Sequence, residues 1–178
     1  KDVTREYGAE NPALEAEYAG FKNAETADVL TGELALSYAD TINAETAVGT
    51  YPEAATASGL TSGNYEITYV PGDVEVTKIA VTASAGTARR NYLTIRLDKP
   101  VEGLTAENFE VKNGEEAVTL TEVTASSDNQ TYTLRGSFST SVTYTVGIDL
   151  TGTAADATHT LTSEPLSIKP STPSGGGG

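Results

Sequence analysis

Along much of the chain, apolar and polar side chains trade places every second residue, the period of a β-strand with one buried face. The longest run is Val142-Tyr144-Val146-Ile148-Leu150, with Thr143, Thr145, Gly147 and Asp149 between. Leu93, Ile95 and Leu97 alternate with Thr94 and Arg96, and Tyr132, Leu134 and Phe138 continue the theme. Phe109 and Val111 lead into Asn113-Gly114, a favoured tight hairpin turn, with Val118 and Leu120 as the predicted returning arm. Ser126-Ser127-Asp128-Asn129 predicts another turn, and Pro165 to Ile168 a last short strand. About seven short strands, broken by turns every ~8–12 residues, describe a β-sandwich over residues 79–168. No Cys or Trp accompanies it, so the antibody-domain signature is absent and the Ig-like likeness is one of architecture.

The N-terminal part reads differently. Tyr65, Ile67 and Tyr69 alternate with Glu66 and Thr68, Pro71-Gly72 supplies a turn, and Val74-Glu75-Val76 is predicted to return as the second arm of a hairpin. Lys78 and Ile79 follow without a spacer, which predicts two modules that abut. Residues 12–18 fit a helix by propensity and a strand by alternation of Leu14, Ala16 and Tyr18; the strand is our expectation. A short helical turn is expected over 23–30, capped by Asn23. Lys169–Gly178, written KPSTPSGGGG, reads as a linker or appended tail.

Composition narrows the functions. The 178 residues can hold two small domains. With 25 acidic residues against 11 basic, the net charge of −14 repels phosphate backbones and anionic membrane surfaces. No apolar run approaches the ~20 residues of a membrane-spanning helix. The absence of Cys excludes a disulfide framework, a catalytic thiol and a thiolate metal site.

Candidate chemistry is sparse. His159, the single histidine, falls in a polar stretch, Thr153–Thr160, and reads as a solvated loop residue; a zinc site takes three or four ligands. Asp128 with Asn129, or Asp149 with Asp156, offer oxygens to calcium, but no Asp-x-Asp-x-Asp-Gly loop occurs and Asx residues favour turns anyway. Glu15 with Glu17, Glu115 with Glu116, and Glu102 with Glu107 are the carboxylate pairs a glycosidase reading would need. Such a pair must face across a cleft with one pKa raised, and solvated surface charge is the plainer reading. No Gly-x-Ser-x-Gly elbow, phosphate loop or dinucleotide fingerprint appears. Arg89-Arg90 is expected at a hairpin tip joining the first two strands of the second module. Lys112 and Lys99 are the strand-located lysines for an intramolecular Lys–Asn crosslink, and Lys112, between Val111 and Asn113, is expected to face outward. Catalytic, cofactor and metal residues are therefore all read as none.

One resemblance adds to this. Tyr7-Gly8 with Asn11-Pro12, Tyr18-Ala19-Gly20-Phe21, Gly32 with Leu34 and Leu36, Val48-Gly49-Thr50-Tyr51-Pro52, Ser58-Gly59-Leu60 and Asn64–Tyr69, then Gly72 and Val74-Glu75-Val76, follow in order over 4–78. Together they resemble the MBG ("mostly bacterial glue") family in its YGX-type form. Two departures are visible: Glu53–Ala57 replaces the family's β-branched run, and Ala24 stands where Gly is common. The second module is similar, in pattern alone, to Ig-like domains of S-layer and other surface proteins. The resemblance implies a non-catalytic structural or spacer segment of a secreted or cell-surface, adhesin-like bacterial protein. Its expected partners are neighbouring domains of the same chain, with extracellular protein or glycan as further candidates and a monomeric state. A glycan- or protein-binding module is the alternative. Physically, Tyr7, Tyr18, Tyr51, Tyr65 and Tyr69 are expected to fill a small core, with hydroxyls reaching backbone or water at its rim.

Overall fold

The computed structural model describes residues 1–172. It is all-β, with fourteen strands among the described residues and helical structure limited to three short 3₁₀ turns. The chain divides into two compact units, Lys1–Lys78 and Ile79 onward.

The first unit is built on β1 (Val3–Glu6), β2 (Thr31–Tyr38), β3 (Gly49–Thr61) and β4 (Gly72–Thr77), in spatial order β1-β4-β3-β2. β1 and β4 run parallel, Val3 opposite Val74 and Glu6 opposite Thr77; the other pairs are antiparallel. Val74 and Val76 are buried at 0% and 1% exposure, and Val74 meets Ile42, Ala54 and Ala55 in a small core. The run Glu53–Ala57 does form strand: β3 passes through it with a bulge against β4 between Tyr51 and Ala55. Two buried alanines lie in that run, so close approach of the sheet's covering replaces β-branched bulk.

Several expectations fail here. Tyr65 and Ile67 are half-buried between exposed neighbours, but Tyr65–Tyr69 joins no ladder, so the predicted hairpin with Val74–Val76 does not form. β4 instead takes β1 and β3 as neighbours, and an extended segment with both flanks of its target occupied has no partner. Residues 12–18 are neither helix nor strand, though Leu14 and Ala16 alternate with exposed Glu15 and Glu17. The helical turn shrinks to Ala27–Val29, and Thr26 rather than Asn23 caps it, its hydroxyl accepting from the Asp28 amide. Asn23 and Ala24 instead sit at φ +55 and +60. An L-residue there costs about 1–2 kcal/mol that glycine avoids, offset partly by glycine's greater entropy. Ala24→Gly is therefore expected to stabilise the first unit by about 0.5–1 kcal/mol, read as a higher urea midpoint at unchanged slope.

The tyrosines are not the core. Tyr18 is 44% exposed and Tyr69 36%, and Tyr7, Tyr51 and Tyr65 are half-buried. Their hydroxyls do reach backbone: Tyr51 donates to the Ala47 carbonyl at 2.8 Å, and Tyr65 accepts from the Lys22 amide at 3.1 Å. Tyr69 both accepts from the Leu60 amide at 2.7 Å and donates to its carbonyl at 2.9 Å. A phenol too large for so thin a core lies over its edge and fastens loops through the oxygen.

The second unit comprises β5 (Ile79–Val81), β6 (Ala83–Arg89), β7 (Tyr92–Leu97), β8 (Phe109–Asn113), β9 (Glu116–Ala117), β10 (Glu122–Ala125), β11 (Thr131–Arg135), β12 (Tyr144–Ile148), β13 (His159–Leu161) and β14 (Leu166–Ile168). Sheets β10-β11-β7-β6 and β14-β12-β8-β9 share one core, with Leu93, Ile95 and Leu134 from the first and Val111, Val146 and Ile168 from the second. That alternation is what the sequence announces, since each sheet buries one face. Phe138 is buried beyond the end of β11, and Val142 and Leu150 lie outside β12. The Asn113 hairpin centres one residue later than predicted: Asn113 pairs with Glu116, Gly114 takes φ +61, and the returning arm stops at Ala117. β5 and β13 form a parallel two-stranded ladder with no counterpart in the predicted strands. Of the expected linker, Pro170 is buried and the Ser171 amide donates to the Ala88 carbonyl at 3.1 Å, so those residues pack on the unit; 173–178 lie outside the described residues.

Candidate functional site

The residues singled out in sequence are dispersed. His159 is not in a loop: it opens β13, pairs with Ile79, is half-buried, and shares a 2.8 Å hydrogen bond between Nδ1 and the Thr158 hydroxyl. Asp128 closes its own turn, Oδ1 accepting from the Ser126 hydroxyl and from the Gln130 amide at 3.1 Å. These bonds hold its carboxyl below the usual aspartate value. Asp149 is likewise depressed by Thr151, whose amide donates to Oδ1 at 2.9 Å. The Asp156 amide caps the 3₁₀ turn through the Thr153 hydroxyl. Among the described residues no group of three or more His, Asp or Glu side chains gathers as metal ligands do.

The members of the three carboxylate pairs are all exposed. Glu115 and Glu116 are exposed in the β8–β9 hairpin, Glu102 reaches Asn129 Nδ2 at 3.4 Å, and Glu107 lies in the Ala106–Asn108 turn. Arg89 and Arg90 stand at the β6–β7 tip, with Arg89 Nη1 donating to Ser171 Oγ at 2.7 Å. Lys112 pairs with Glu110 at 2.8 Å, its side chain 36% exposed, and that hydrogen bond raises its pKa. Lys99 is half-buried. No helix among the described residues is long and apolar enough to cross a membrane.

Three buried polar side chains, Arg5, Thr46 and Asn108, escaped the sequence reading, and all are spent on hydrogen bonds within the chain, Thr46 between the Asn43 amide and the Thr41 carbonyl. Arg5, 6% exposed on β1, donates from Nε to Asn11 Oδ1 at 2.8 Å, from Nη1 to the Glu6 carbonyl at 3.2 Å, and from Nη2 to the Asn43 carbonyl. Asn11 passes the link to the Ile42 carbonyl at 2.9 Å, so one guanidinium ties a loop to the sheet. Asn108 accepts from the Thr105 amide at 2.9 Å and donates to the Asp149 carbonyl at 2.8 Å. Alternation with Val3 was the one signal for Arg5, because it puts the guanidinium on the buried face.

The feature with room for a ligand is a groove of about 620 Å³ in the first unit. Its floor is the apolar face of β2 and β3, Leu34, Leu36, Ala57 and Leu60. The unladdered segments 14–19 and 67–71 form its walls. Glu15 and Glu17 stand on one rim, both exposed, holding the Lys1 ammonium at 3.1 and 3.4 Å; the Glu15 hydrogen bond chiefly raises that amine's pKa. Both carboxylates stand in solvent.

A comparison with curated proteins returns no match for the chain. Residues 1–75, from β1 into β4, match the model of the family described as MBG domain (YGX type).

Proposed function

We propose that the chain is a non-catalytic structural segment of a secreted or cell-surface, adhesin-like bacterial protein, an MBG-type unit followed by an Ig-like sandwich. It acts as a monomeric spacer outside the cell, its partners the neighbouring domains of its own chain. What carries the reading is the use of its polar groups. Arg5, Asn11, Asn108 and the tyrosine hydroxyls bind backbone, and the acidic excess lies on the surface. The MBG match over residues 1–75 and the tandem β architecture support the setting.

The test is where the chain sits on its cell. Antibodies raised to it are expected to label intact cells of the producing bacterium, and brief external protease should remove the label. Labelling that appears only after lysis would overturn the proposal.

A further inference from the structure

Three observations converge on the first unit's groove. Its size falls within the ~300–1,000 Å³ of ligand sites, while its floor is aliphatic. Beside the floor, β3 loses its β4 neighbour: their last pair is Ala55 with Gly72, whereas β2 stays paired with β3, across one bulge, as far as Thr61. Among the described residues no backbone hydrogen bond joins 56–61 to 62–71, and the Tyr69 hydroxyl serves Leu60 in place of a strand. The rim, finally, is acidic: Glu15 and Glu17 already hold one ammonium.

A ligand that satisfies all three must be extended, to meet a strand flank over about six residues or ~20 Å. It must carry apolar side chains at every second position, to cover Leu34, Leu36 and Leu60. It must also bear cations, to answer the two carboxylates on a chain of charge −14. We propose that the groove binds an extended peptide segment of alternating apolar and Lys or Arg residues. A sugar would leave the aliphatic floor unused, and a second copy would bring like charge to the rim. The inference goes beyond a spacer role, since a spacer needs no such surface.

The probe is a fluorescein-labelled peptide of five Val-Lys repeats, titrated with the full chain in anisotropy. Binding is expected, with backbone amide shifts confined to Leu34, Leu36, Leu60, Tyr69 and their neighbours. The five-repeat Pro-Lys peptide carries the same charge but cannot pair as a strand, and should bind about tenfold more weakly. Ala57→Trp, which fills the floor, should weaken Val-Lys binding by about tenfold, and Glu15→Gln with Glu17→Gln by about threefold. The amide-shift map stands on the unsubstituted chain, so it decides the matter even if Ala57→Trp fails to fold. Equal affinity for the two peptides, shifts dispersed over the acidic surface, no binding at about 1 mM, or a dimer that the peptide leaves intact would each overturn the proposal.

Discussion

Gly59→Ala is expected to unfold the β2–β3 pair and, with it, the first unit. Gly59 and Gly32 face each other across a bulge where the register shifts between Gly32 and Ala35, at φ +93 and +89. A Cβ on Gly59 would lie 2.1 Å from the Glu33 carbonyl oxygen, and one on Gly32 would lie 2.3 Å from that of Gly59. Both obstacles are backbone, so no rotamer change relieves them. Strain at such a φ costs about 1–3 kcal/mol and overpacking a similar amount again. Together that approaches the whole stability of a unit this size, at roughly 0.05–0.15 kcal/mol per residue. Hydrogen exchange checks it: amides of Thr31–Tyr38 and Gly49–Thr61 should lose protection while those of Tyr92–Leu97 keep theirs. Unchanged protection in β2 and β3 would mean that the bulge is not needed.

Arg5→Ala is expected to cost the first unit about 3 kcal/mol. Hydrogen bonds to a charged group contribute about 1.5–3 kcal/mol each, and burying the guanidinium offsets part of that. Its removal leaves Asn11 Oδ1 without its donor, leaves the Asn43 carbonyl with only the Thr46 amide, and loosens the loop around Ile42. Arg5→Met separates the causes. It keeps the apolar stem but no donors, and should lose nearly as much if the hydrogen bonds matter rather than the packing. A loss below about 0.5 kcal/mol, the size of an ordinary surface substitution, would show that the clasp is slack. Urea unfolding of the first unit gives both values.

The second unit was legible because each of its sheets has one wet face. Leu93, Ile95 and Leu97 against Thr94 and Arg96 leave no doubt about which side is buried. The first unit was less so, because its local pattern and its pairing disagree. Tyr65, Ile67 and Tyr69 alternate as a strand does, yet only pairing makes a strand, and β4, the arm the pattern predicts for them, is taken by β1 and β3. Conversely, Glu53–Ala57 has Thr56 as its one β-branched residue, yet Ala55–Ala57 pairs with β2, because its place in the sheet overrides propensity. His159 looked like a loop residue because β13 is three residues long and its partner, Ile79, is eighty positions earlier. The groove could not be read at all, being the space left where three distant segments diverge.

The parallel pairing of β1 with β4 bears on how such a unit carries tension. Force entering ahead of Val3 and leaving beyond Thr77 acts at opposite ends of the shared ladder. The two strands are then drawn past each other in shear, and their hydrogen bonds must fail together rather than open one by one. First and last strands joined in this way form a mechanical clamp, and it closes only once the chain has been made as far as Thr77.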